Sequence, residues 1–568
     1  MDPFDPVLAR PQSIAAEYLD AGTTYSLANN DLIFHADAYS DLQALYWPWA
    51  DARYARSIQL HISNPQDDAF MPMVTQFYPG YQETIYGAEG MIVTKRIAAP
   101  LQTSYDRSVL WLLECQAEGD RLLRIEVDID WGRPLTQRMV DGLLVAQENP
   151  GSAQGIYAQH NADSTRVFGN PQGRPSSVEI DDEYGAKLVY YVLVNGVVEV
   201  PLILTLSDVG EQMAWNGFLA LRDSERAFER SDKTWTSELN NGALWTPDPR
   251  LNRAVQAGRT ATISLTQRLR TGMAPGGRET CKIPQLVNSF DTFDPVQSRN
   301  LLAHLRRTAE RTDGHLPLSL PIHPKTVPEP PGPAVAETNF AYLHALHSHL
   351  CHVLDDAELL ARHYDAIRLC TETLIRSRRT MTDKIAVIAQ ALTTATALAR
   401  RHGNDADVAR WESEANEALN AAPAPGHDDE NDNSQWNLPS TWQLRDNSVW
   451  AYADPWHGVT LAGRTTWKGC GLSVHDGRLR VMPSWPDHWQ WWALIDFPLG
   501  DEKASLVWDG RSLHASTPVI CDLPIVNHDK IRVLHTDEYD FDLQFEFSSA
   551  RESGNITELF QPIFLSAP

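Results

Sequence analysis

The residues best suited to chemistry are two aspartates, Asp291 and Asp294, which lie three positions apart in one predicted loop over 271–294. Two neighbouring carboxyl groups can divide acid–base work, because one transfers a proton while the other stabilises positive charge or activates water. The pair also suits a structural role, since Asp294 directly precedes Pro295 and that arrangement is typical of a helix N-cap. Both interpretations stay open, and Asp291 and Asp294 are the predicted catalytic residues.

Other side chains of the same loop are predicted to bind the substrate. They supply a guanidinium group, a carboxylate, two amides and an aromatic ring, at Arg278, Glu279, Gln285, Asn288 and Phe293. A few polar groups that converge beside an aromatic surface are typical of a small-molecule site.

A predicted helix over about 336–354 carries His344, His347 and Cys351 at spacings of three and four. These three side chains would share one helical stripe and could bind a soft divalent metal. A histidine cluster on a packed helix is also typical of polar core or of surface, and the sequence identifies no remaining ligand. We therefore predict no metal and no cofactor, and leave this stripe open.

The elements that must position these residues follow a β, then α, then β order. Apolar residues alternate in short runs from about Ile33 to Leu206, which is typical of strands. From Pro247 to Ala422 the period becomes helical and predicts six helices, and from Trp442 strand patterns return. The predicted fold class is multidomain α+β. Its parts are an N-terminal β-sandwich, a bridging helix and linker, a shortened α/α-hairpin domain, an acidic linker and a C-terminal β domain, at 1–210, 211–246, 247–421, 422–435 and 436–568.

Composition excludes several classes of partner. The 568 residues include 48 basic and 74 acidic side chains, a formal net charge of −26. Such a surface repels phosphate backbones and anionic lipid, so we expect neither nucleic acid nor membrane as a partner. Six cysteines without a CxxC spacing indicate reduced thiols. Without a recognisable signal segment or an apolar run long enough for a span, we expect a cytoplasmic protein.

Several local motifs, taken with the order of elements, resemble the six-hairpin glycosidases. The matching segments are Gly90–Arg96 with Ser108–Trp111, then Leu244–Leu251, Glu279–Gln285 and the Asp313–Pro317 stretch, which is similar to a DG-x-(I/L/V)-P loop. The resemblance implies an (α/α)6 toroid as catalytic domain, and a carbohydrate as ligand. It places the acid-rich active-site loop of that superfamily at 279–294.

The sequence departs from this superfamily in its helical block. Six predicted helices provide only half of such a toroid, and the short basic segment Arg376–Thr382 stands where a carboxylate-bearing loop is implied. The second catalytic carboxylate therefore cannot be carried over. Two functions stay open, a glycoside hydrolase acting through the loop 271–294 and a non-catalytic carbohydrate-binding or scaffold protein. We also expect the open flank of the half-ring to be covered by another part of the chain or by a second copy.

Tryptophans in the last segment allow two interpretations. Their flat faces could serve as platforms for sugar rings, or they could fill the core of a small β domain. Successive strand residues point to opposite faces, so part of the run Trp485–Trp492 must face inward. We therefore favour the core.

Overall fold

The computed structural model shows a multidomain α+β protein with two compact units. It describes residues 12–15, 24–66, 69–88, 90–101, 107–148, 164–181, 184–323, 334–353, 356–422, 455–475, 478–485, 489–535, 543–548 and 561–565. The predicted linker at 422–435 lies almost entirely outside these residues. Among the described helices, none is long and apolar enough to cross a bilayer.

The first unit, here called the sheet unit, comprises residues 10–237 and 263–268. Its strands form one branched sheet. They are β1 Gln12–Ala15, β2 Thr24–Ala28, β3 Ile33–Asp37, β4 Leu42–Trp47, β5 Ala52–Ala55, β6 Ser57–Ser63, β7 Met71–Tyr78, β8 Tyr81–Ala88, β9 Met91–Ala98, β10 Ser108–Asp130, β11 Thr136–Val140, β12 Leu143–Gln147, β13 Thr165–Gly169, β14 Ser177–Asp181 and β15 Gly185–Ser207.

Alternating hydrophobicity determines this sheet, as the sequence predicts. The hairpin of β8 and β9 pairs Tyr81 with Ala98 in an antiparallel register. In the second half of β10, Leu123 and Ile125 are buried while Arg124 and the other intervening residues are partly exposed. Because successive side chains of a strand point to opposite faces, one face of this strand builds the core and the other stays polar.

The second unit, here called the helical unit, comprises residues 238–262 and 269–568. In the described part of the chain there are ten α-helices, of which most belong to this unit. They are α1 Glu211–Ala220, α2 Ser224–Asn240, α3 Pro249–Ser264, α4 Ile283–Phe290, α5 Pro295–Arg311, α6 Val335–His352, α7 Ala357–Ser377, α8 Ile385–His402, α9 Asp405–Ala421 and α10 Pro455–Arg464, the last continued by a π-helical turn at Thr465–Gly469.

The other strands of the described residues, β16 to β28, all come after α2 in the chain. They are β16 Ala243–Trp245, β17 Thr266–Leu269, β18 Gly272–Pro275, β19 Leu472–His475, β20 Arg478–Val481, β21 Trp492–Leu499, β22 Glu502–Trp508, β23 Leu513–Ala515, β24 Val519–Ile520, β25 Ile525–Asn527, β26 Lys530–His535, β27 Leu543–Ser548 and β28 Gln561–Leu565. Trp491 and Trp492 are buried in apolar clusters, which confirms the core interpretation for these two residues.

Two helices differ from the sequence prediction. The segment 271–294 is not a plain loop, because it contains α4, an eight-residue helix with a buried apolar face. The expectation that strand patterns return from Trp442 is wrong for α10, where Val459 and Ala462 are buried at helical spacing. The glycines of α10 hid this periodicity, because glycine is unfavourable in an isolated helix and is usually taken as a break.

Those glycines allow α10 to pack closely in the helical unit. A Cβ on Gly258 of α3 would lie 2.1 Å from the carbonyl oxygen of Gly458, and a Cβ on Gly463 would lie 3.0 Å from the backbone of Asn288. Contacts this short require two helices that approach backbone to backbone. The chain beyond the six predicted helices therefore covers part of the helical block, one of the alternatives expected from the sequence.

Candidate functional site

A buried aspartate–histidine pair lies at the end of α4. Asp291 follows the last residue of this helix, and its Oδ1 atom lies 2.7 Å from Nδ1 of His349 on α6. Both side chains are fully buried. An ionised carboxylate is stable in such a place only with a hydrogen-bonded, positively charged or strongly polar partner, so the pair is a single structural and electrostatic group.

A second histidine approaches the same carboxylate from the next turn of α6. His352 Nδ1 lies 3.7 Å from Asp291 Oδ2. The ring of His352 stacks on Trp467 with centroids 3.7 Å apart and planes inclined by 7°. Trp467 belongs to the π-helical turn and donates its Nε1 hydrogen to the carbonyl oxygen of Asn288. The turn after α10 thus holds one face of the site.

The electrostatics of this cluster determine the state of Asp291. Burial alone would raise the pKa of its carboxyl group, but the charge and hydrogen bond of His349, followed by those of His352, outweigh burial and hold the pKa at about 2. Asp291 is therefore ionised at neutral pH. A carboxylate in this state cannot donate a proton to a leaving group.

Ser348 and His352 do not form an activated nucleophile with Asp291. The Oγ atom of Ser348 donates to Asn288 Oδ1 at 2.7 Å and lies 3.5 Å from Nδ1 of His352. That same nitrogen is the one nearest to Asp291. A Ser–His–Asp relay uses the two opposite nitrogens of the imidazole ring, so this arrangement positions side chains and does not transfer the hydroxyl proton.

Asp294 occupies the N-cap of α5. Its Oδ1 atom accepts a hydrogen bond from the backbone N–H of Val296 at 3.2 Å. Burial raises the pKa of Asp294, although backbone and side-chain hydrogen bonds oppose the shift. Glu238, near the end of α2, also has a raised pKa, caused first by burial and then by the negative charge of Asp294. The carboxyl groups with raised pKa values here are therefore those of Asp294 and Glu238.

The cap gives a direct prediction for stability. Asp294→Ala should lower the free energy of unfolding by about 0.5–2 kcal/mol, because it removes the acceptor for an N-terminal N–H of α5. Asp294→Asn should stay close to the parent protein, because asparagine caps as well as aspartate does. Urea denaturation of both variants measures the difference, and equal stability of the two would contradict a capping role.

Two of the predicted substrate-binding residues lie at the other end of α4. Arg278 donates to the carbonyl oxygen of Leu320 at 3.4 Å, and Glu279 forms a β-bridge with Ser319. An eight-residue helix is about 12 Å long. Arg278 and Glu279 are thus separated by the length of α4 from the Asp291 cluster, although the sequence places them in one loop.

The other three predicted binding residues divide between the site and the core. Asn288 joins the cluster through Ser348 and Trp467, as described above. Gln285 is half-buried, and its Oε1 atom is buried without a hydrogen-bond partner among the described residues. Phe293 is buried, with the guanidinium group of Arg259 5.5 Å from its ring centre. Its environment is that of a core residue.

The histidine stripe does not form a metal site among the described residues. Cys351 Sγ lies 3.9 Å from His347 Nε2, but these two side chains provide only two of the four ligands of a tetrahedral site. No group of three or more His, Cys, Asp or Glu side chains in the described ranges could hold a metal. The histidines that contact Asp291 are instead His349 and His352, which lie on another face of α6.

Sequence reasoning missed His349, His352, Trp467 and Glu238. A signal for the histidines was present, because a spacing of three puts His349 and His352 on neighbouring turns of one face. Trp467 was hidden among many tryptophans. Glu238 lies in the predicted bridging helix. No local sequence pattern indicates that it lies close to Asp294, because the two residues are distant in the chain.

Comparison with known proteins supports the resemblance at the level of the fold. No protein-family model matches the sequence, and no curated protein matches it. A solved structure of a putative kojibiose phosphorylase from the human microbiome aligns with 98% of this chain and 100% of its own, with a TM-score of 0.58 and 8% identity. A family GH92 alpha-mannosidase from Bacteroides thetaiotaomicron aligns with 70% of this chain and 65% of its own, with a TM-score of 0.40 and 10% identity. The first likeness shows that this chain shares its fold with the putative kojibiose phosphorylase.

Proposed function

We propose that this chain is a carbohydrate-active protein that binds an oligosaccharide or a glycoside in its helical unit, near the end of α4. The observation that carries the proposal is the fold shared with a putative kojibiose phosphorylase along nearly the whole chain. Asn288 and His352 support the location, because they are half-buried polar groups that buried partners hold in place. Trp467 stacks on the ring of His352 and donates a hydrogen bond to the carbonyl oxygen of Asn288.

Hydrolysis would require two carboxyl groups with different protonation states on either side of the scissile bond. Asp291 does not suit the acid role, because it is ionised and fully buried. Glu238 suits it better, because burial and the negative charge of Asp294 both favour its protonated form. In the catalytic version of the proposal, Glu238 donates the proton, the ionised carboxylate of Asp294 acts as the base, and Asp291 positions α6.

A second candidate function is non-catalytic carbohydrate binding. The observation that favours it is that both predicted catalytic aspartates have structural partners, His349 for Asp291 and the first turn of α5 for Asp294. In this version the ligand binds and no bond is cleaved.

One experiment separates the two functions. The full chain is titrated by calorimetry with neutral disaccharides and trisaccharides, kojibiose among them, and sugar release is measured with and without inorganic phosphate. We expect a saccharide to bind and to raise the melting temperature progressively as its concentration exceeds the Kd. Failure of every saccharide to bind would contradict the proposal.

Matched variants then assign the chemistry. Catalysis predicts that Glu238→Gln or Asp294→Asn lowers turnover by roughly 100-fold or more, the usual contribution of a general acid or base, with the melting temperature unchanged. Glu358→Gln, an exposed position on α7, is the control and should change nothing. Binding without turnover in the parent protein would establish the second candidate.

A further inference from the structure

A groove in the sheet unit lies outside the site described above. Its volume is about 610 Å³, within the range of roughly 300–1,000 Å³ that is usual for small-molecule sites. Residues from β6, the end of β10, β14 and the start of β15 line it. Nothing in the proposed function of the helical unit uses this groove.

The register of the four strands aligns its polar side chains in two rows. Asp128 is the Cα partner of both Gln59 and Lys187, and Lys187 also pairs with Glu179. The next row outward runs through Ser57, Asp130, Gly185 and Asp181. Residues two apart on a strand share a face, so both rows belong to the same face of the sheet.

These rows offer donors and acceptors together. The Nζ atom of Lys187 lies 2.6 Å from Glu126 and 3.6 Å from Asp128, which leaves one of its three hydrogens for another acceptor. The Gln59 amide and the Ser57 hydroxyl each donate and accept. Glu179 is exposed and adds acceptor oxygens. The groove thus alternates the two kinds of hydrogen-bonding group across four strands.

An aromatic ring completes the groove. Tyr184 lines it from the turn directly before β15 and is 45% exposed. Its backbone carbonyl accepts a hydrogen bond from Trp131 N–H, which fixes the position of the residue. The ring presents an apolar face beside polar groups, and the C–H-rich face of a sugar suits such a surface.

The chemistry of the lining decides between ligand classes. Anions are unsuitable because Asp128, Asp130, Glu179 and Asp181 outnumber Lys187 among the charged lining residues. An ammonium group can only donate hydrogen bonds, so it would use only the acceptors of the groove, and the like charge of Lys187 would repel it. A metal ion is unsuitable because no set of three ligating side chains converges among the described residues. Sugar hydroxyls both donate and accept, so they suit a lining that offers donors and acceptors side by side.

We propose that this groove binds a neutral saccharide, at a second site that is separate from the one in the helical unit. Binding depends on Tyr184 for stacking and on the row of Gln59, Asp128, Lys187 and Glu179 for hydrogen bonds.

The test is calorimetric titration of the full chain with maltotriose, cellotriose and kojibiose, compared with chitosan trimer as the ammonium-bearing probe. Tyr184→Ala should weaken binding of a neutral saccharide by about tenfold or more, as loss of an aromatic anchor does, and Glu179→Gln should weaken it independently. Tyr191→Ala is the matched control, because Tyr191 is a similarly exposed tyrosine, at 49%, that lies on β15 outside the groove lining. Its affinity should equal that of the parent protein, and added salt should have little effect on a neutral ligand.

Three results would overturn the proposal. One is saccharide binding that Tyr184→Ala leaves intact, which would place all binding in the helical unit and leave the proposed function standing. Another is binding of chitosan trimer alone with a steep loss at high salt, which would identify a cation site. The third is the absence of binding by every neutral saccharide.

Discussion

Replacement of His349 by leucine is expected to lower the free energy of unfolding by about 3–5 kcal/mol, the usual cost of leaving a buried charged group without its partner. The carboxylate of Asp291 lies 2.7 Å from His349 Nδ1 and has no exposed surface. Without this imidazole, Asp291 must stay charged with only the more distant His352 beside it, or take up a proton. Urea denaturation measures the loss.

The double variant Asp291→Leu/His349→Leu is the control for this prediction. It removes both members of the pair, and apolar replacement of a buried pair costs far less than removal of one partner. The double variant should therefore be more stable than His349→Leu alone. Equal stability of the His349→Leu variant and the parent protein would contradict the structural importance of the pair.

The same pair predicts the acid response of the protein. The pKa of Asp291 is lowered in the folded state from 3.8 to about 2. A group with a lowered folded pKa stabilises the protein above its unfolded pKa, and this stabilisation is lost as the pH falls through the folded value. Roughly 2 kcal/mol of stability should therefore disappear between about pH 4 and pH 2. In Asp291→Leu/His349→Leu this component of the pH dependence should be absent.

Replacement of Gly258 by alanine should also have a large effect, a loss of about 1–3 kcal/mol or more, because the new methyl group overpacks a close helix contact. Its Cβ would lie 2.1 Å from the carbonyl oxygen of Gly458, which is backbone and cannot rotate away. The helices α3 and α10 would have to separate. Thermal and urea denaturation of the full chain measure the effect.

Gly217→Ala is the matched control. Gly217 is also a helical glycine, on α1, but its Cβ would have 3.6 Å to the nearest side-chain atom, an ordinary contact. Alanine there should stabilise the helix by roughly 0.5–1 kcal/mol. If Gly258→Ala were equally harmless, α10 would not pack against α3 as the structure shows.

Local patterns in the sequence determined the types of element. The alternation of Leu123, Arg124 and Ile125 predicts a strand with one wet face, and β10 has this arrangement. Asp294 before Pro295 predicts an N-cap, and the carboxylate accepts a hydrogen bond from Val296 N–H. These features depend on neighbours within one turn or one strand, so the sequence contains all the information needed to infer them.

Tertiary structure alone decided which chemical groups meet. Asp291 and His349 are 58 positions apart, and Asn288 and Trp467 are 179 apart. The sequence suggested a stripe of His344, His347 and Cys351. Packing of α6 against α4 instead brings His349 and His352, on another face of α6, to Asp291. Spacing along a helix shows which residues share a face but not which face is buried against which neighbour, because that depends on contacts distant in the chain. For the same reason the ionised state of Asp291 follows from its surroundings and not from its position in a polar segment.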